Sequence, residues 1–402
     1  MRLNVKNQES SETVHRLVKL SVFILIAFPI LLDFIFFGSK VARISRVFGA
    51  FAVLSICWAR KDQLFTNRIG GESVLFLTFS LYIVGTFSAI INKGEITPNV
   101  ISLLIFLLIA AGNRNNLQSL RAGIEFSVNL LCVFSVVAIL LKMNPRGIYL
   151  SASGYPVILP EIGIPGRNYG VMSHPNSLGQ LAALSIIFAI FSVAKTRIKF
   201  YYIVIAFFCL FKSGSRTSVS SILIIVILYL VLKLKSKQNF KRTKFELSEL
   251  VIFIFMAIGI AGTVLLLLRI NTLSPQSLTG RAQIWQTANE LFGEKLIFGL
   301  GWGWEGRAID ANLLSVWAVS AHNAVLEVLF STGFIGLMIF LYFLSSSIFG
   351  FSRLDAINKS LIITMLISGV SESIVDLQYP NLTTFTFLFL VVASKSGAKK
   401  YA

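Results

Sequence analysis

The sequence predicts an all-α, polytopic membrane protein of about 12 transmembrane helices with a partly helical outer loop. Three observations carry that expectation. Hydrophobic residues make up 55% of the 402-residue chain and charged residues only 13%, against about 25% charged in soluble domains. The runs from Ile222 to Leu232 and from Val251 to Leu268 have no polar face, and a segment apolar all round needs an apolar solvent. Lys and Arg gather between such runs, at Arg60-Lys61, Lys195 to Arg197 and Lys233 to Lys244, where the positive-inside rule puts cations.

The net charge of +18 is therefore a mark of topology. No basic stripe alternates with aromatics in a soluble stretch, which argues against nucleic acid as a partner. Cys57, Cys132 and Cys209 lie inside apolar runs, are odd in number and lack metal spacing; they read as small buried hydrophobes. The first apolar run has no small-residue cleavage site, so it reads as a retained helix.

At about 20 residues per crossing, spans are expected near 17–37, 44–59, 72–92, 98–112, 119–141, 176–194, 198–213, 216–234, 249–270, 324–350, 358–376 and 382–395. Together 1–402 form one membrane domain without an internal repeat. The distribution of Lys and Arg puts both termini in the cytoplasm. Two outer segments exceed a turn, 142–175 and 271–322, and loops that long are usually functional or disordered. The second holds Trp285, Trp302, Trp304 and Trp317, which suits a partly folded cap at the headgroups. Within it Ala282, Ile284, Trp285, Ala288 and Leu291 recur at helical spacing, predicting a short amphipathic helix that opens near Gly280-Arg281.

Four constellations on the outer side could carry chemistry. Ala321-His322-Asn323, then Leu326-Glu327 and Gly333-Phe-Ile-Gly336, stand where the large loop re-enters the membrane. His322 suits proton transfer near neutral pH or is simply a helix-start residue; Asn323 and Glu327, one turn apart, hold the imidazole or pair with each other. Lys212-Ser-Gly-Ser-Arg216-Thr217 is a tight hairpin whose Arg216 is either a diphosphate seat beside a helix start or an interfacial cation snorkelling to headgroups. Gly280-Arg281 and Trp285 precede Phe298-Gly-Leu-Gly-Trp302-Gly303, where glycines permit tight turns; Arg281 is a ligand or an exposed loop cation. Gly166-Arg167 is followed by Ser173-His174-Pro175-Asn176, in which Ser or Asn would cap the sixth span with Pro in its first turn. Glu372 and Asp376 lie one helical turn apart at the end of the eleventh span, where they bind a cation, align an acceptor sugar or form a salt bridge with an outer Arg, and Asp33 and Glu125 read as paired or lining a polar cavity.

The order Ser-Gly-Ser-Arg before a span, Gly-Arg-x3-Trp in a large outer loop, Gly-Trp-Gly further on, and His-Asn-x2-Leu-Glu-x5-Gly-x2-Gly at its end resembles the O-antigen ligase and O-antigen polymerase family, most closely over 170–340. The resemblance implies a GT-C-like fold in the bacterial cytoplasmic (inner) membrane. It implies transfer of a glycan from a polyprenyl diphosphate carrier to an acceptor glycan or glycolipid at the outer face, alongside other polysaccharide-assembly proteins. Carried over by motif, His322 is the general base and Arg216 and Arg281 hold the diphosphate. Arg167, His174, Asn323 and Glu327 complete the expected substrate site. Neither a nucleotide sugar nor a metal ion is implied, so the expectation is of no cofactor. Single displacement predicts inversion at the anomeric carbon. The expected activity is a surface-polysaccharide polymerase, with ligation to lipid A-core or another acceptor as the alternative. A lipid-linked glycan transporter is the rival of another class, since those also have about twelve spans, but they place polar residues near the midplane and carry repeats.

Overall fold

The computed structural model describes residues 2–35, 40–59, 72–92, 100–112, 114–143, 148–150, 156–158, 167–172, 174–191, 196–236, 262, 265, 268–274, 281–293, 295–314, 320–349, 354–374 and 381–395. Helices follow in chain order. They are α1 (Arg2–Val22), continued through a π-helical turn (Phe23–Ala27) into α2 (Phe28–Ile35); α3 (Lys40–Ala59); α4 (Glu72–Ile91); α5 (Val100–Gly112); and α6 (Arg114–Leu140). Next come α7 (Pro175–Phe191), α8 (Thr196–Ser213), α9 (Arg216–Ser236), α10 (Arg281–Phe292), α11 (Trp304–Asp310), α12 (Ala324–Phe349), α13 (Ala356–Ser371) and α14 (Leu382–Lys395). A helix stands at each expected span except the ninth (249–270), most of which lies outside the described residues.

Three stretches, Glu12–Ile35, Leu117–Leu140 and Ala324–Ser345, are long and apolar enough to cross a membrane, and shorter apolar helices accompany them. Helical content was legible in detail; one departure from an all-α fold is a two-stranded antiparallel ladder, Ile148–Leu150 with Pro156–Ile158, inside the 142–175 segment. Each strand is three residues long, too short for an alternating pattern to register.

Burial separates two kinds of apolar helix. Every residue from Leu178 to Ala189 of α7, and from Leu382 to Ser394 of α14, is buried, so these are central. Peripheral helices instead turn large apolar side chains outward, with Trp58 77%, Phe76 68% and Phe211 82% exposed. Faces of that kind are lipid-facing, since water would not tolerate them. Cys57, Cys132 and Cys209 are buried free thiols, as expected of small hydrophobes.

Ion pairs explain two charges in the apolar bundle. Asp33, expected as paired or lining a polar cavity, accepts from Arg46 at 2.5 Å. Arg121 pairs with Asp355, whose other oxygen caps α13 by accepting from Asn358 N at 2.9 Å. That pair lies at the starts of α6 and α13; the residues of the candidate site lie at the opposite end of α13.

The large loop has a core of its own. Ile270, Ile284, Trp285, Ala288, Phe292, Leu300, Trp304, Ala308, Leu314 and Ala321 cluster with Leu326, Leu329 and Phe330 of α12. The expected amphipathic helix is α10, buried through Ala282, Ile284, Trp285, Ala288 and Phe292.

The expected straight span 324–350 is broken. At Gly333 the backbone turns to φ 66°, ψ −165°, a conformation open essentially to Gly. The carbonyls of Phe330 and Ser331 accept from Leu300 N (2.7 Å) and Gly301 N (2.9 Å). Phe334 N and Ile335 N donate to Leu296 O (2.9 Å) and Ile297 O (3.3 Å). So residues 296–301, which include most of the 298–303 run expected to turn over the membrane face, are threaded into the break and hydrogen-bonded on both sides. The glycines serve close backbone approach: a Cβ at Gly299 would stand 2.5 Å from Gly333 N. On the other flank Ser88 Oγ of α4 donates to Gly299 O at 2.6 Å, and Arg307 donates to the carbonyls of Leu300 (2.5 Å) and Trp302 (3.0 Å).

Candidate functional site

His322 sits on a turn braced from three sides. Asn323 caps α12, its Oδ1 accepting from Val325 N and Leu326 N at 3.0 Å each. Its Nδ2 donates to Val370 O at 3.0 Å, tying the turn to the end of α13. Glu327 reaches back to accept from Ala321 N at 2.8 Å and from Ser373 Oγ at 3.1 Å. Trp285 Nε1 donates to Ala321 O at 2.7 Å. The spacing in Gly-Arg-x3-Trp thereby gains a reason: residues four apart share a helix face, so the Trp285 that docks α10 on this turn aims Arg281 at the same place. Asn323 and Glu327, expected at the substrate, instead spend their polar atoms on this scaffold. Their side chains pair neither with each other nor with the imidazole: the Asn323 oxygen takes backbone donors at the helix start, and the Glu327 oxygens take Ala321 N and the hydroxyls of Ser331 and Ser373.

Held this way, His322 adopts φ 49°. The left-handed region costs a non-glycine residue about 1–2 kcal/mol, a strain that the surrounding contacts impose. The buried ring places Nδ1 3.1 Å from Glu372 Oε2.

Glu372 is the hub. The sequence placed it on a helix face with Asp376, but α13 stops at Ser371 and Glu372 is extended (φ −147°, ψ 152°); Asp376 lies outside the described residues. Leaving the helix lets the carboxylate turn inward. Its Oε1 takes Arg281 at 3.1 Å and the Nδ2 of Asn176. Burial pushes its pKa up, but the hydrogen bond and charge of His322, then the charges of Arg281 and His174, outweigh that and hold it below its ordinary value. A charged carboxylate on Nδ1 fixes the proton there, which leaves the Nε2 of His322 with a free lone pair.

The sixth-span motif folds differently from its expected cap. Pro175 is the first residue of α7 and His174 itself caps it, Nδ1 accepting from Asn176 N at 3.1 Å; Ser173 lies outside the described residues. Asn176 is then free to bridge Glu372 and Arg167, accepting from Arg167 at 2.5 Å through Oδ1. Arg167 also donates through Nε to Ser213 O at 2.6 Å, docking this segment on the Ser-Gly-Ser-Arg hairpin. Two of its nitrogens thus hold the protein together. Gly214 turns the hairpin at φ 58°, with Ser215 capping the first turn of α9 through Ser218 N. Arg216 follows, exposed, as the first residue of α9.

The ring of His174 lies 5.9 Å from that of His322, centroid to centroid. Burial, reinforced by His322, Arg167 and Arg281 and opposed by Glu372, depresses its pKa to about 4. Between pH 6.5 and about 4 the unfolded chain therefore binds a proton that the folded protein refuses, so stability falls as pH drops through that window. The thermal midpoint of detergent-solubilised protein should fall on acidification from about pH 7 to 4.5 and fall less in His174→Gln; equal falls would contradict a neutral imidazole.

Electrostatically the site is built for an anion. The first turns of α7 and α10 and the turn before α12 meet on Glu372 through Asn176, Arg281 and His322. The start of α9 is joined through Ser213, Arg167 and Asn176. Helix N-termini carry about half a positive charge each and present free N–H groups. Arg216 and Arg281 are close enough to bear on Arg167, as is Glu372, and Arg281 pairs with that carboxylate directly. Among the described residues no cluster of three His, Cys, Asp or Glu is disposed to hold a metal ion.

Residues 201–341 match the O-antigen ligase family. The resemblance read from the motifs is borne out over that segment, which contains Arg216, Arg281 and His322. No curated protein matches the chain. The O-antigen ligase segment supports a surface-polysaccharide, glycosyltransferase-like role for a membrane protein. Arg167, His174, Asn176 and Glu372 lie outside the matched segment, yet they complete the site in space. The expected pairing of Glu372 with an outer Arg is found with Arg281, while its contact with His322, 50 positions away, has no signal in the sequence.

Proposed function

We propose that this chain is an inverting glycosyltransferase of the cytoplasmic membrane that moves a saccharide from a polyprenyl diphosphate carrier to an acceptor glycan, acting as a surface-polysaccharide polymerase. The observation that carries the reading is the Glu372–His322 pair, at 3.1 Å, set beside Arg281 and the convergent helix starts. In the reaction the acceptor hydroxyl oxygen attacks the anomeric carbon as the bond to the diphosphate oxygen breaks. Nε2 of His322 takes the hydroxyl proton, and Glu372 stabilises the imidazolium that results. Arg216, Arg281 and the helix N-termini receive the charge that develops on the leaving polyprenyl diphosphate. Twelve crossings, a GT-C-like arrangement, cytoplasmic termini and a site on the outer face belong to the same proposal. The carrier tail then stays in the bilayer while its head reaches the site.

Ligation to a separate acceptor is the second reading, favoured by the description of the matched family. Purified protein supplied with lipid-linked repeat units alone separates the two: ladders of growing length mark a polymerase, whereas no growth until a lipid A-core acceptor is added marks a ligase. Arg281→Lys is expected to raise the KM for the lipid-linked donor, because an ammonium cannot reproduce a guanidinium fork on diphosphate. Unchanged donor affinity in Arg281→Lys and Arg216→Lys alike would remove the diphosphate seat.

A further inference from the structure

Two imidazoles stand side by side with opposite tautomers. A backbone N–H only donates, so the bond from Asn176 N makes Nδ1 of His174 the acceptor, and the single proton of the neutral ring is on Nε2. His322 has the reverse arrangement, with Nδ1 on the carboxylate and a bare Nε2. Among the described residues Nε2 of His174 has no protein partner. There is therefore a fixed proton acceptor and, one ring away at 5.9 Å, a fixed neutral donor.

We infer that His174 is a positioning residue for the acceptor sugar, donating its Nε2–H to an oxygen adjacent to the hydroxyl that His322 deprotonates. The inference rests on the transferase reading above and adds the side of the site on which the acceptor lies. Charge decides between sugar and phosphate as the ligand. The Glu372 carboxylate acts on both imidazoles, so a phosphate placed between them would meet like charge. A neutral sugar oxygen would not. The guanidiniums, by contrast, suit an anion, and a neutral N–H is a weaker anion ligand than a charged one. Held from two oxygens, a sugar ring has one orientation, which presents one hydroxyl to the base; His174 would thus help to set which position is extended.

Two variants separate this role from the helix cap. In His174→Asn the amide oxygen can take over the cap made by Nδ1 while the Nε2 donor is lost; in His174→Gln an amide N–H reaches the place of Nε2. His174→Asn is expected to raise the KM for the acceptor glycan about 3–10-fold, with the KM for the lipid-linked donor and the pH–rate profile unchanged, and His174→Gln to stay near wild type. A raised donor KM in place of the acceptor effect, or wild-type behaviour of His174→Asn, would overturn the inference. A second measurement follows the ring ¹⁵N signals of His174 in the full-length protein. The free repeat-unit oligosaccharide should shift the Nε2–H signal, and inorganic pyrophosphate should not; a shift with pyrophosphate alone would overturn the inference. Failures are distinguishable: an active transferase whose His174 signal ignores the oligosaccharide loses only this contact. A protein that transfers nothing while the oligosaccharide still shifts the signal loses the transferase reading.

Discussion

His322→Ala is expected to transfer glycan about 10²–10⁴-fold more slowly than wild type, the span that a positioned general base contributes, with donor binding retained. Strain at this position calls for a second variant. His322 stands at φ 49°, which alanine tolerates poorly and asparagine well, so His322→Asn keeps the turn while removing the base. The two should be equally slow; a slow His322→Ala beside an active His322→Asn would trace the effect to the turn. Glu372→Gln should also slow transfer, because an amide N–H on Nδ1 favours the tautomer with its proton on Nε2. The same change leaves Arg281 without its carboxylate, so donor binding should hold or tighten even as kcat falls. Normal turnover in all three variants would take His322 out of the chemistry.

Gly333→Ala should prevent the protein from folding, or lower its thermal midpoint severely. Two effects combine. The backbone conformation at Gly333 costs any other residue of order 1–3 kcal/mol, and an added Cβ would drive into the Ile297 carbonyl, well inside contact distance. Relieving that clash means withdrawing residues 296–301 and leaving the amides and carbonyls around the break unpaired, each a further loss of about 1–3 kcal/mol in a buried setting. Gly293→Ala is the control, since a Cβ there meets nothing nearer than 3.9 Å. Comparable yield and midpoint for both variants would show that the break does not hold the fold.

What the sequence disclosed follows the range of each interaction. Apolar runs and the helical spacing within 281–292 are local, and the corresponding helices are found except at 249–270, most of which lies outside the described residues. His322 and Arg281 stood out as polar residues in motifs that an apolar environment does not require. A salt bridge from Glu372 to an outer Arg was among the expectations and is found with Arg281, but its contact with His322 was not legible, because nothing local shows that α13 ends one residue before it. The commitments of Asn323, Glu327 and Arg167 to scaffold were hidden for the same cause: their partners include Val370, Ser373 and Ser213, remote in the chain. The break at Gly333 was least legible, since a glycine within an apolar run looks the same whether the helix continues through it or opens to admit another segment.

That opening orders events during biosynthesis. Residues 296–301 leave the ribosome before α12, and both halves of α12 complete their hydrogen bonds only when that earlier stretch is already at hand. Unpaired amides are poorly tolerated within a bilayer. Folding of the preceding loop and integration of this helix are therefore a single cooperative step, and a chimera that exchanges the loop alone must bring its own α12 with it.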